Sequence, residues 1–478
     1  MTTMTAPIAT HDDLRGRHAL VLGLARSGTA VARVLADAGA IVSVYDRRPA
    51  AELADAVQAL GARPVRLELA VSPHAARALV AEADLLVTSP SISPTMPTTD
   101  AWLRSALGEA LARGVELVSE VELFLRLTRA HVLAVTGTKG KTTTTALIGA
   151  IFEAAGRRHM VGGNIGRPLI EEAASLGPDD WAVLELSELQ LPTISRGAEI
   201  AVYTNIGADH LDRHGSVEAY RAVKARLAEL SVLHGHVVMN ADDAGCRDLA
   251  ARLPAASIAW YALAAAEPWI VARLDDGWLT VRGERVVAAA EMPIPGRHSL
   301  ADALAAALAS SLAGIPNEAI AEGIRAFGGV PHRLERLRTR NGVAWINDSQ
   351  ATIPLAAIAA LDAFAPAPVV LIAGGKDKGL DYGSLADAVA GRCRAAVLIG
   401  ETAERLERLI ARRVPVVRAA SMPEAVAVAA AWARPGDVAL LAPAAASFDM
   451  FEDYAARGDA FRAAVQALDA AGAAEPGR

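Results

Sequence analysis

The chain has 478 residues, of which 53% are hydrophobic and 21% charged, and its net charge is -7 at neutral pH. This length predicts about three domains, and an acidic balance without a basic tract argues against nucleic-acid binding. The absence of a long apolar run predicts no transmembrane helix. The two cysteines, Cys246 and Cys393, lack metal-ligand spacing, and the polar N-terminus does not resemble a secretory signal. We therefore expect a protein of a reducing, cytoplasmic compartment.

The first predicted elements, in residues 18–46, are a strand, a glycine turn, a helix and a second strand. The turn has the pattern G-x-A-x-x-G from Gly23, a dinucleotide fingerprint in which Ala25 replaces the middle glycine. Because that glycine permits close approach of a pyrophosphate, Ala25 argues against ordinary NAD binding. Asp46 ends the second strand, where an acid can bind a ribose, and Arg47 and Arg48 beside it can bind a diphosphate or uracil carbonyls. A small α/β domain is predicted, with a turn that binds no ligand as the alternative.

A phosphate-binding loop follows a later strand. Residues 137–142, GTKGKT, lie between an apolar strand and an amphipathic helix, and Val135 stands where the longer motif G-x-x-x-x-G-K-[ST] has glycine. The glycines let backbone N–H groups face a phosphate, Lys141 can neutralise the β and γ phosphates, and Thr142 suits Mg²⁺. The loop predicts a central domain that binds ATP with Mg²⁺.

Two further features of the central block are candidate metal ligands. Glu185 ends the apolar strand WAVLE, at the edge where parallel sheets bind ligands. The segment 204–227 carries His210 in a loop rich in Asp and His, and Lys224 on the helix that follows. This segment fits either a site or a solvated charged loop with an ordinary surface lysine.

Polar residues also mark the strands of a third α/β block that starts near residue 330. Arg333 precedes the first of these strands, and Asp348, Lys378 and Ser447 each follow one. Each alone is more often part of a turn than of a site. Because they share one edge of a mostly parallel sheet, their common placement favours a ligand pocket.

Many ordered segments together resemble the Mur ligases over nearly the whole chain. The matching segments are GTKGKTT at 137–143, GGNIGRP at 162–168, LELSELQ at 184–190, DHLDRH at 209–214, Lys224, PHRLE at 331–335, NDSQAT at 347–352, GGKDKG at 374–379 and SFDMFEDYAARGDAF at 447–461. Within the family, the stretch GGNIG is the most typical of the members that add glutamate.

The resemblance implies an α/β fold in three domains. These are an N-terminal Rossmann-like UDP-sugar-binding domain at 1–119, a central P-loop ATPase-like domain with a mostly parallel sheet at 120–329, and a C-terminal Rossmann-like glutamate-binding domain at 330–478. It also implies ATP-dependent amide synthesis in peptidoglycan precursor formation. The carboxylate of UDP-N-acetylmuramoyl-L-alanine would become an acyl phosphate, from which the amine of D-glutamate displaces phosphate. Mg²⁺, expected as two ions, would neutralise the phosphate charge.

The same resemblance assigns residues to each ligand. The catalytic and metal-binding set comprises Lys141, Thr142, Glu185, His210 and Lys224, the last as a carbamate that turns a cation into a carboxylate-like ligand. The ATP-binding set comprises Gly137, Thr138, Lys139, Gly140, Lys141, Thr142, Thr143, Asp302, Arg333 and Asp348. The set for UDP-N-acetylmuramoyl-L-alanine comprises Asp46, Arg47, Asn164, Ser187 and Gln190. The glutamate set comprises Thr352, Lys378, Ser447, Phe448 and Tyr454.

The chain departs from the family pattern in several of these segments. Lys139 stands where asparagine is usual and adds positive charge near the phosphates. Ser299 and Asp302 replace asparagines, and Asp302 can accept a hydrogen bond from the adenine amine but cannot donate one to a ring nitrogen. Glu188 and Gln350 are further departures, in segments expected to contact the substrates.

Other functions stay open from the sequence alone. A ligase that adds L-glutamate belongs to the same reaction class. A P-loop ATPase switch would hydrolyse ATP without any amino acid, and an NAD-dependent dehydrogenase would depend on the first βαβ unit alone. The expected partners are UDP-N-acetylmuramoyl-L-alanine, D-glutamate and ATP, with no nucleic acid and no membrane, bound by a monomer.

Overall fold

The computed structural model describes residues 8–89, 92–94, 99–166, 168–207, 216–265, 267–294 and 296–472. Within these ranges the chain forms three β-sheets and divides into two compact units, Met1–Phe327 and Gly328–Arg478. The first unit holds two sheets and the second holds one. This arrangement agrees with the predicted α/β class, whereas the domain boundaries at 119/120 and 329/330 stay predictions.

The N-terminal sheet is entirely parallel. Its strands are β1 His18–Leu22, β2 Ile41–Asp46, β3 Val65–Leu69, β4 Leu85–Thr88 and β5 Glu116–Ser119, and the helices of this region are α1 Arg26–Asp37, α2 Ala54–Leu60, α3 Pro73–Glu82, α4 Ala101–Ala112 and α5 Glu120–Leu127. The strand order is β3-β2-β1-β4-β5. The order reverses between β1 and β4, which is where open α/β sheets form a ligand crevice.

The central sheet is parallel over most of its width. Its strands are β6 His131–Thr136, β7 His159–Gly163, β8 Trp181–Glu185, β9 Ile200–Tyr203, β10 His236–Asn240, β11 Ile258–Ala262, β12 Ile270–Asp275, β13 Trp278–Val281 and β14 Glu284–Ala288, and its helices are α6 Lys141–Ala154, α7 Val217–Ser231, α8 Ala244–Ala250, α9 Arg297–Leu312 and α10 Asn317–Ala326. The strand order is β14-β13-β12-β11-β10-β9-β6-β8-β7. The phosphate loop follows β6, inside this sheet, so the strand that aims it is fixed on both sides.

An antiparallel extension, β12-β13-β14, continues the central sheet and was not predicted. Its two turns contain Asp276-Gly277 and Arg282-Gly283, and all four residues have positive φ. Two consecutive positive φ angles are typical of the tight turns that join hairpin strands. The Asp-Gly pair was therefore a usable signal for a hairpin in the sequence.

Apolar packing joins the two sheets of the first unit. One continuous cluster of buried side chains includes Val44 of β2 and Leu184 of β8. At the same junction, Glu122 of α5 accepts a hydrogen bond from the Ser195 N–H at 2.7 Å. Buried apolar area and a satisfied buried carboxylate both stabilise this junction.

The second unit carries a mixed sheet. Its strands are β15 Glu335–Arg340, β16 Val343–Asn347, β17 Val369–Gly374, β18 Cys393–Ile399, β19 Val416–Arg418 and β20 Val438–Leu441, and its helices are α11 Pro354–Ala363, α12 Gly383–Arg392, α13 Ala403–Ile410, α14 Met422–Trp432 and α15 Tyr454–Gly472. The order is β15-β16-β20-β17-β18-β19, parallel except for β15 against β16. The antiparallel edge turns at Asn341-Gly342, again with two positive φ angles. Because β16, β20 and β17 are neighbouring parallel strands, the loops that follow them leave from the same end of the sheet.

In the described part of the chain, no helix combines the length and the apolar character needed to cross a membrane.

Gly323 of α10 tests the tight packing behind the phosphate-loop helix. Gly323→Ala is expected to lower the free energy of unfolding of the first unit by about 1–3 kcal/mol, since the added methyl carbon would lie 2.5 Å from Ile151 Cα of α6. Urea unfolding followed by far-UV circular dichroism measures the change. Gly108→Ala in α4 is the matched control because its methyl meets no atom within 4 Å. The control should be neutral or stabilising by up to about 1 kcal/mol; equal stabilities for both variants would contradict the packing argument.

Candidate functional site

A cleft of about 670 Å³ opens at the carboxyl ends of β1, β2 and β4. Ala25, Asp46 and Arg47 line it, so both predicted residues of the UDP-sugar set in this region face the same cleft. Gly28 allows α1 to start close to the turn, because a methyl group there would lie 1.9 Å from the Gly23 carbonyl oxygen. The cleft therefore lies where the reversal of strand order predicts a ligand.

Asp46 is buried and ionised in this cleft. Burial alone would raise the pKa of its carboxyl group, but hydrogen bonds from the Arg48 side chain and from the Leu24 N–H outweigh burial and hold the pKa at about 2. The ion-pair partner is thus Arg48, at 2.7 Å, whereas Arg47 is exposed at the cleft. A fixed carboxylate beside two arginines gives the cleft acceptors for ribose hydroxyls and donors for phosphate oxygens.

The phosphate loop is held by its own carbonyls and by the segment after β9. Lys141 Nζ donates to the carbonyl oxygens of Gly137 and Thr138, each at 3.0 Å. Asn205 accepts from the Lys139 N–H at 3.0 Å through its side chain, and from the Thr138 N–H at 2.9 Å through its carbonyl. Helix α6 begins at Lys141, so its N-terminal end faces the loop. This is the strand, loop and helix arrangement that binds anions.

Gly137 and Gly140 meet strict geometric requirements of this loop. Both have positive φ, at 150° and 86°. A methyl group on Gly137 would lie 1.9 Å from Thr204 Oγ1, and one on Gly140 would lie 2.4 Å from Asp302 Oδ1. The carboxylate of Asp302 on α9 therefore lies directly beside the phosphate loop. Its predicted contact with adenine stays a prediction.

Glu185, at the end of β8, has a buried carboxylate with one oxygen unpartnered. Its side chain is 1% exposed, and Asn164 Nδ2 donates to Oε1 at 2.7 Å. Oε2 is buried and has no hydrogen-bond partner among the described residues. Because a buried anionic oxygen is costly unless something compensates it, this atom fits a cation ligand. Asn164, predicted to contact the muramoyl-alanine, orients this carboxylate.

Lys224 of α7 reaches the same strand end from the other side of β6. Its side chain is fully buried, so it is not an ordinary surface lysine, and Nζ donates to Thr136 Oγ1 at 3.0 Å. The Thr136 hydroxyl donates in turn to the carbonyl of Leu186, the residue after Glu185, at 2.8 Å. Thr136, which sequence reasoning missed, thus connects two predicted metal ligands.

Of the remaining residues predicted to bind metal or muramoyl-alanine, three have a described position and one does not. Thr142 lies in the first turn of α6, and His210 falls outside the described residues. Ser187 donates to Gln190 Oε1 through both its N–H, at 3.0 Å, and its hydroxyl, at 2.9 Å. Among the described residues, no three His, Cys, Asp or Glu side chains cluster as metal ligands. The predicted ligands Thr142, Glu185 and Lys224 do not count as such a cluster, because only Glu185 is one of these four residue types.

In the second unit, Asp348 is buried after β16. Its Oδ1 accepts from the Leu334 N–H at 3.0 Å, and burial raises the pKa of the carboxyl group to about 6 despite this bond and the nearby Arg333. His332 and Leu334, on either side of Arg333, both have positive φ. This uncommon backbone for side chains with a Cβ is held by hydrogen bonds from and to the 347–350 loop.

The residues predicted to bind the substrate glutamate lie on loops that leave the carboxyl ends of the parallel strands in the C-terminal sheet. Lys376 N–H donates to the Ala446 carbonyl at 2.9 Å, which joins the loop of Lys378 to that of Ser447. The Ala444 N–H donates to the Ala351 carbonyl at 2.7 Å, which brings the loop of Thr352 alongside. Ser447 is buried, whereas Phe448 is 70% exposed and Lys378 is exposed. The helix that begins at Tyr454 contacts these loops, since the Tyr454 carbonyl accepts a hydrogen bond from Ser349 Oγ at 2.7 Å.

Fold and site together define an enzyme that handles nucleotide phosphates. Three family descriptions match the chain in order: "Mur ligase MurD-like, N-terminal domain" at 17–119, "Mur ligase middle domain" at 135–310 and "Mur ligase, glutamate ligase domain" at 332–445. The chain belongs to the Mur ligase family and is an ATP-dependent ligase. The predicted family and reaction class are confirmed, against the dehydrogenase and switch alternatives.

Several relatives are similar over nearly their full length. A Solibacter usitatus protein named UDP-N-acetylmuramoylalanine--D-glutamate ligase is 42% identical, over 95% of this chain and 99% of the relative. A Symbiobacterium thermophilum protein of the same name is 39% identical, over 94% and 98%. The solved structure of the Thermotoga maritima UDP-N-acetylmuramate-alanine ligase is similar with a TM-score of 0.56 at 19% identity, over 94% of this chain and 99% of that one. The structural likeness supports the shared fold alone.

The raised pKa of Asp348 predicts a pH-dependent loss of stability in the second unit. Between about pH 4 and pH 6 the folded chain keeps a proton that the unfolded chain has released, so stability falls as pH rises through this window. Asp348→Asn should remove this loss, with nearly equal stability near pH 4 and a gain of about 3 kcal/mol near pH 7. Hydrogen exchange of β16 and β20 amides at both pH values measures the difference. A variant whose exchange keeps the pH dependence of the parent chain would contradict the pKa.

Proposed function

We propose that this ligase joins D-glutamate to UDP-N-acetylmuramoyl-L-alanine, with conversion of ATP to ADP and phosphate, in peptidoglycan precursor synthesis. The relatives named for that reaction support the proposal through their identity and coverage. The structural observation that carries it is the arrangement of Lys141, Glu185 and Lys224 around the end of β6. An amide ligase of this kind must place a carboxylate substrate beside a nucleotide phosphate, and this arrangement supplies groups of both charges there.

The proposed reaction proceeds in two displacements. A carboxylate oxygen of the muramoyl-alanine attacks the γ-phosphorus, and the bond from that phosphorus to the β–γ bridging oxygen breaks, which releases ADP. The glutamate amine then attacks the acyl carbonyl carbon, and the tetrahedral intermediate expels phosphate as the nitrogen loses a proton. Because both partners of the first step are anions, positive charge has to be concentrated at the phosphoryl group.

Residues of the first unit fit this requirement. Lys141 would exchange its loop carbonyls for β- and γ-phosphate oxygens, and the backbone N–H groups of residues 140–143, where the loop enters α6, would face those phosphates. Mg²⁺, when bound, neutralises phosphate charge. We propose Thr142 and Glu185 for one ion, and His210 with Lys224 for a second. The unpartnered Oε2 of Glu185 supports the first of these sets.

A carbamate on Lys224 is part of the proposal. The ammonium form is a poor metal ligand, and a buried cation is costly unless it is compensated. Addition of CO₂ to the neutral amine forms an N–C bond and releases a proton, and it gives an anionic oxygen ligand. Complete burial of Lys224 next to the phosphate loop supports this assignment.

The other predicted residues are proposed for substrate positioning. Asp46 and Arg47 would bind the uridine diphosphate, and Asn164, Ser187 and Gln190 would line the muramoyl-alanine. Asp302, Arg333 and Asp348 would contact the nucleoside or phosphates of ATP. The proposed glutamate pocket comprises Thr352, Lys378, Ser447, Phe448 and Tyr454. We further propose a cytoplasmic monomer, because one chain carries every predicted ligand set and ATP and UDP-linked sugars are cytoplasmic substrates.

Mass spectrometry of the product tests the proposed function. The chain is incubated with UDP-N-acetylmuramoyl-L-alanine, ATP with Mg²⁺ and either glutamate enantiomer, and phosphate release is followed in parallel. We expect a product heavier by one glutamate residue with D-glutamate only, and phosphate release only when both acceptors are present. Lys141→Ala should lower turnover at least about 1,000-fold, since the γ-phosphate loses its main cation. Product with L-glutamate alone would favour the alternative ligase, and phosphate release without an amino acid would contradict both.

Lys224→Ala tests the carbamate. Turnover is expected to fall at least about 100-fold, because a buried oxygen ligand is lost, and a short carboxylic acid in solution should restore part of it. Arg221→Ala on the same helix is the control, since Arg221 pairs with Asp248 at the surface. Full activity of Lys224→Ala without added acid would exclude a carbamate ligand.

A further inference from the structure

A single buried guanidinium lies beneath the loops of the proposed glutamate pocket. Arg457, on α15, is 0% exposed. Its Nε donates to Ser349 Oγ at 3.0 Å and its Nη2 to the Ser349 carbonyl at 2.9 Å, so it binds the loop after β16 through two atoms. Its Nη1 donates to the carbonyls of Ala445 and Ala446 at 3.1 and 3.0 Å, in the loop after β20.

The loop after β17 meets the same guanidinium. A methyl group added to Gly375 would lie 3.0 Å from Arg457 Nη1 and 2.1 Å from the Ala446 carbonyl oxygen. This backbone therefore passes directly over the guanidinium, with a positive φ of 147°. Three loops from neighbouring strands thus converge on one side chain.

Each of these loops carries a residue proposed for the glutamate pocket. Thr352 follows Ser349 by three positions, Lys378 follows Gly375 by three, and Ser447 follows Ala446 directly. Tyr454 lies one turn before Arg457 on the same helix. A planar fork with five fixed donors can set the spacing of several carbonyls at once, which a flexible ammonium cannot do.

All the hydrogen bonds of Arg457 within the described residues go to neutral oxygens. Burial lowers the pKa of the guanidinium to about 10, so the group stays charged at neutral pH. A buried charge without a bonded carboxylate is costly, and an apolar side chain of similar volume is often at least as stabilising. The cost is understandable if the charge and its geometry serve the loops above it.

We infer that Arg457 is a positioning residue for the amino-acid substrate: its guanidinium fixes the three loops of the pocket and keeps a positive charge beneath a ligand with two carboxylates. This inference depends on the proposed function. Arg457 does not contact the reacting atoms in this account, and it acts through the residues on the loops. Its loss should therefore weaken glutamate binding selectively rather than abolish the chemistry.

Steady-state kinetics of Arg457→Lys test the inference, with glutamate and UDP-N-acetylmuramoyl-L-alanine varied in turn. We expect the KM for glutamate to rise about 10-fold or more while the KM for the UDP-linked substrate, which is proposed to bind in the first unit, stays within about twofold. Ser349→Ala removes the hydroxyl partner of Nε and should raise the KM for glutamate about threefold. Ser349→Ala is the milder variant, and if Arg457→Lys does not fold, the KM for glutamate of Ser349→Ala tests the inference.

Arg394→Lys is the matched control for lost stability. Arg394 makes a two-point ion pair with Asp437 at 2.6 and 2.9 Å, before β20 at the opposite edge of the same sheet. Its replacement should lower the melting temperature without a change in the KM for glutamate. An unchanged KM for glutamate in Arg457→Lys or Ser349→Ala, or an equal rise in both KM values, would overturn the inference. A parent chain that forms no product would instead overturn the proposed function, and this inference with it.

Discussion

The Thr136 hydroxyl, at the end of the central strand β6, organises the phosphate-loop region. It accepts a hydrogen bond from Nζ of the buried Lys224 and donates one to the Leu186 carbonyl, beside the buried Glu185. Neither charged group is compatible with burial unless its neighbours compensate it, and removal of one member of such a network typically costs about 3–5 kcal/mol. The parallel sheet makes the arrangement possible because β6, β8 and β9 end side by side. The proposed chemistry therefore depends on strand register as much as on the identity of the charged residues.

In the other two sheets, charged residues also lie at the carboxyl ends of parallel strands, but their chemistry differs. In the N-terminal sheet, the carboxyl edge carries an ionised Asp46 in a cleft. In the C-terminal sheet, the corresponding edge carries a cation, Arg457, beneath loops that are close to one another through backbone hydrogen bonds. Each edge thus presents a charge suited to the ligand proposed for it: an acid for ribose hydroxyls, and a cation for a dicarboxylate. In all three sheets the proposed ligand site therefore lies at the carboxyl ends of parallel strands, and the three sites differ in the charged residues placed there.

Sequence reasoning found the features whose chemistry is local. The phosphate loop was predictable because its glycines, Lys141 and Thr142 are adjacent, and Glu185 because an acid that ends an apolar strand is visible in the sequence. The bonds of Thr136 to Leu186 and Lys224, and the bond of Arg457 to Ser349, were not predictable, since they join residues between 50 and 108 positions apart. Which of Arg47 and Arg48 pairs with Asp46 depends on side-chain direction, which a sequence does not reveal. The hairpins at Asp276-Gly277 and Asn341-Gly342, by contrast, were predictable, because their turn residues are those typical of tight hairpin turns.

The bonds between Lys141 and the carbonyls of its own loop have a thermodynamic consequence for nucleotide binding. A long lysine side chain loses up to about 2 kcal/mol of rotamer entropy when it is fixed. Here that loss already occurs on folding, because the ammonium is bonded to Gly137 and Thr138 within the loop that presents it. Exchange of two carbonyl acceptors for phosphate oxygens then requires little further ordering. The contribution of Lys141 to nucleotide affinity is thereby set mainly by the difference between two sets of acceptors rather than by the entropy of ordering its side chain.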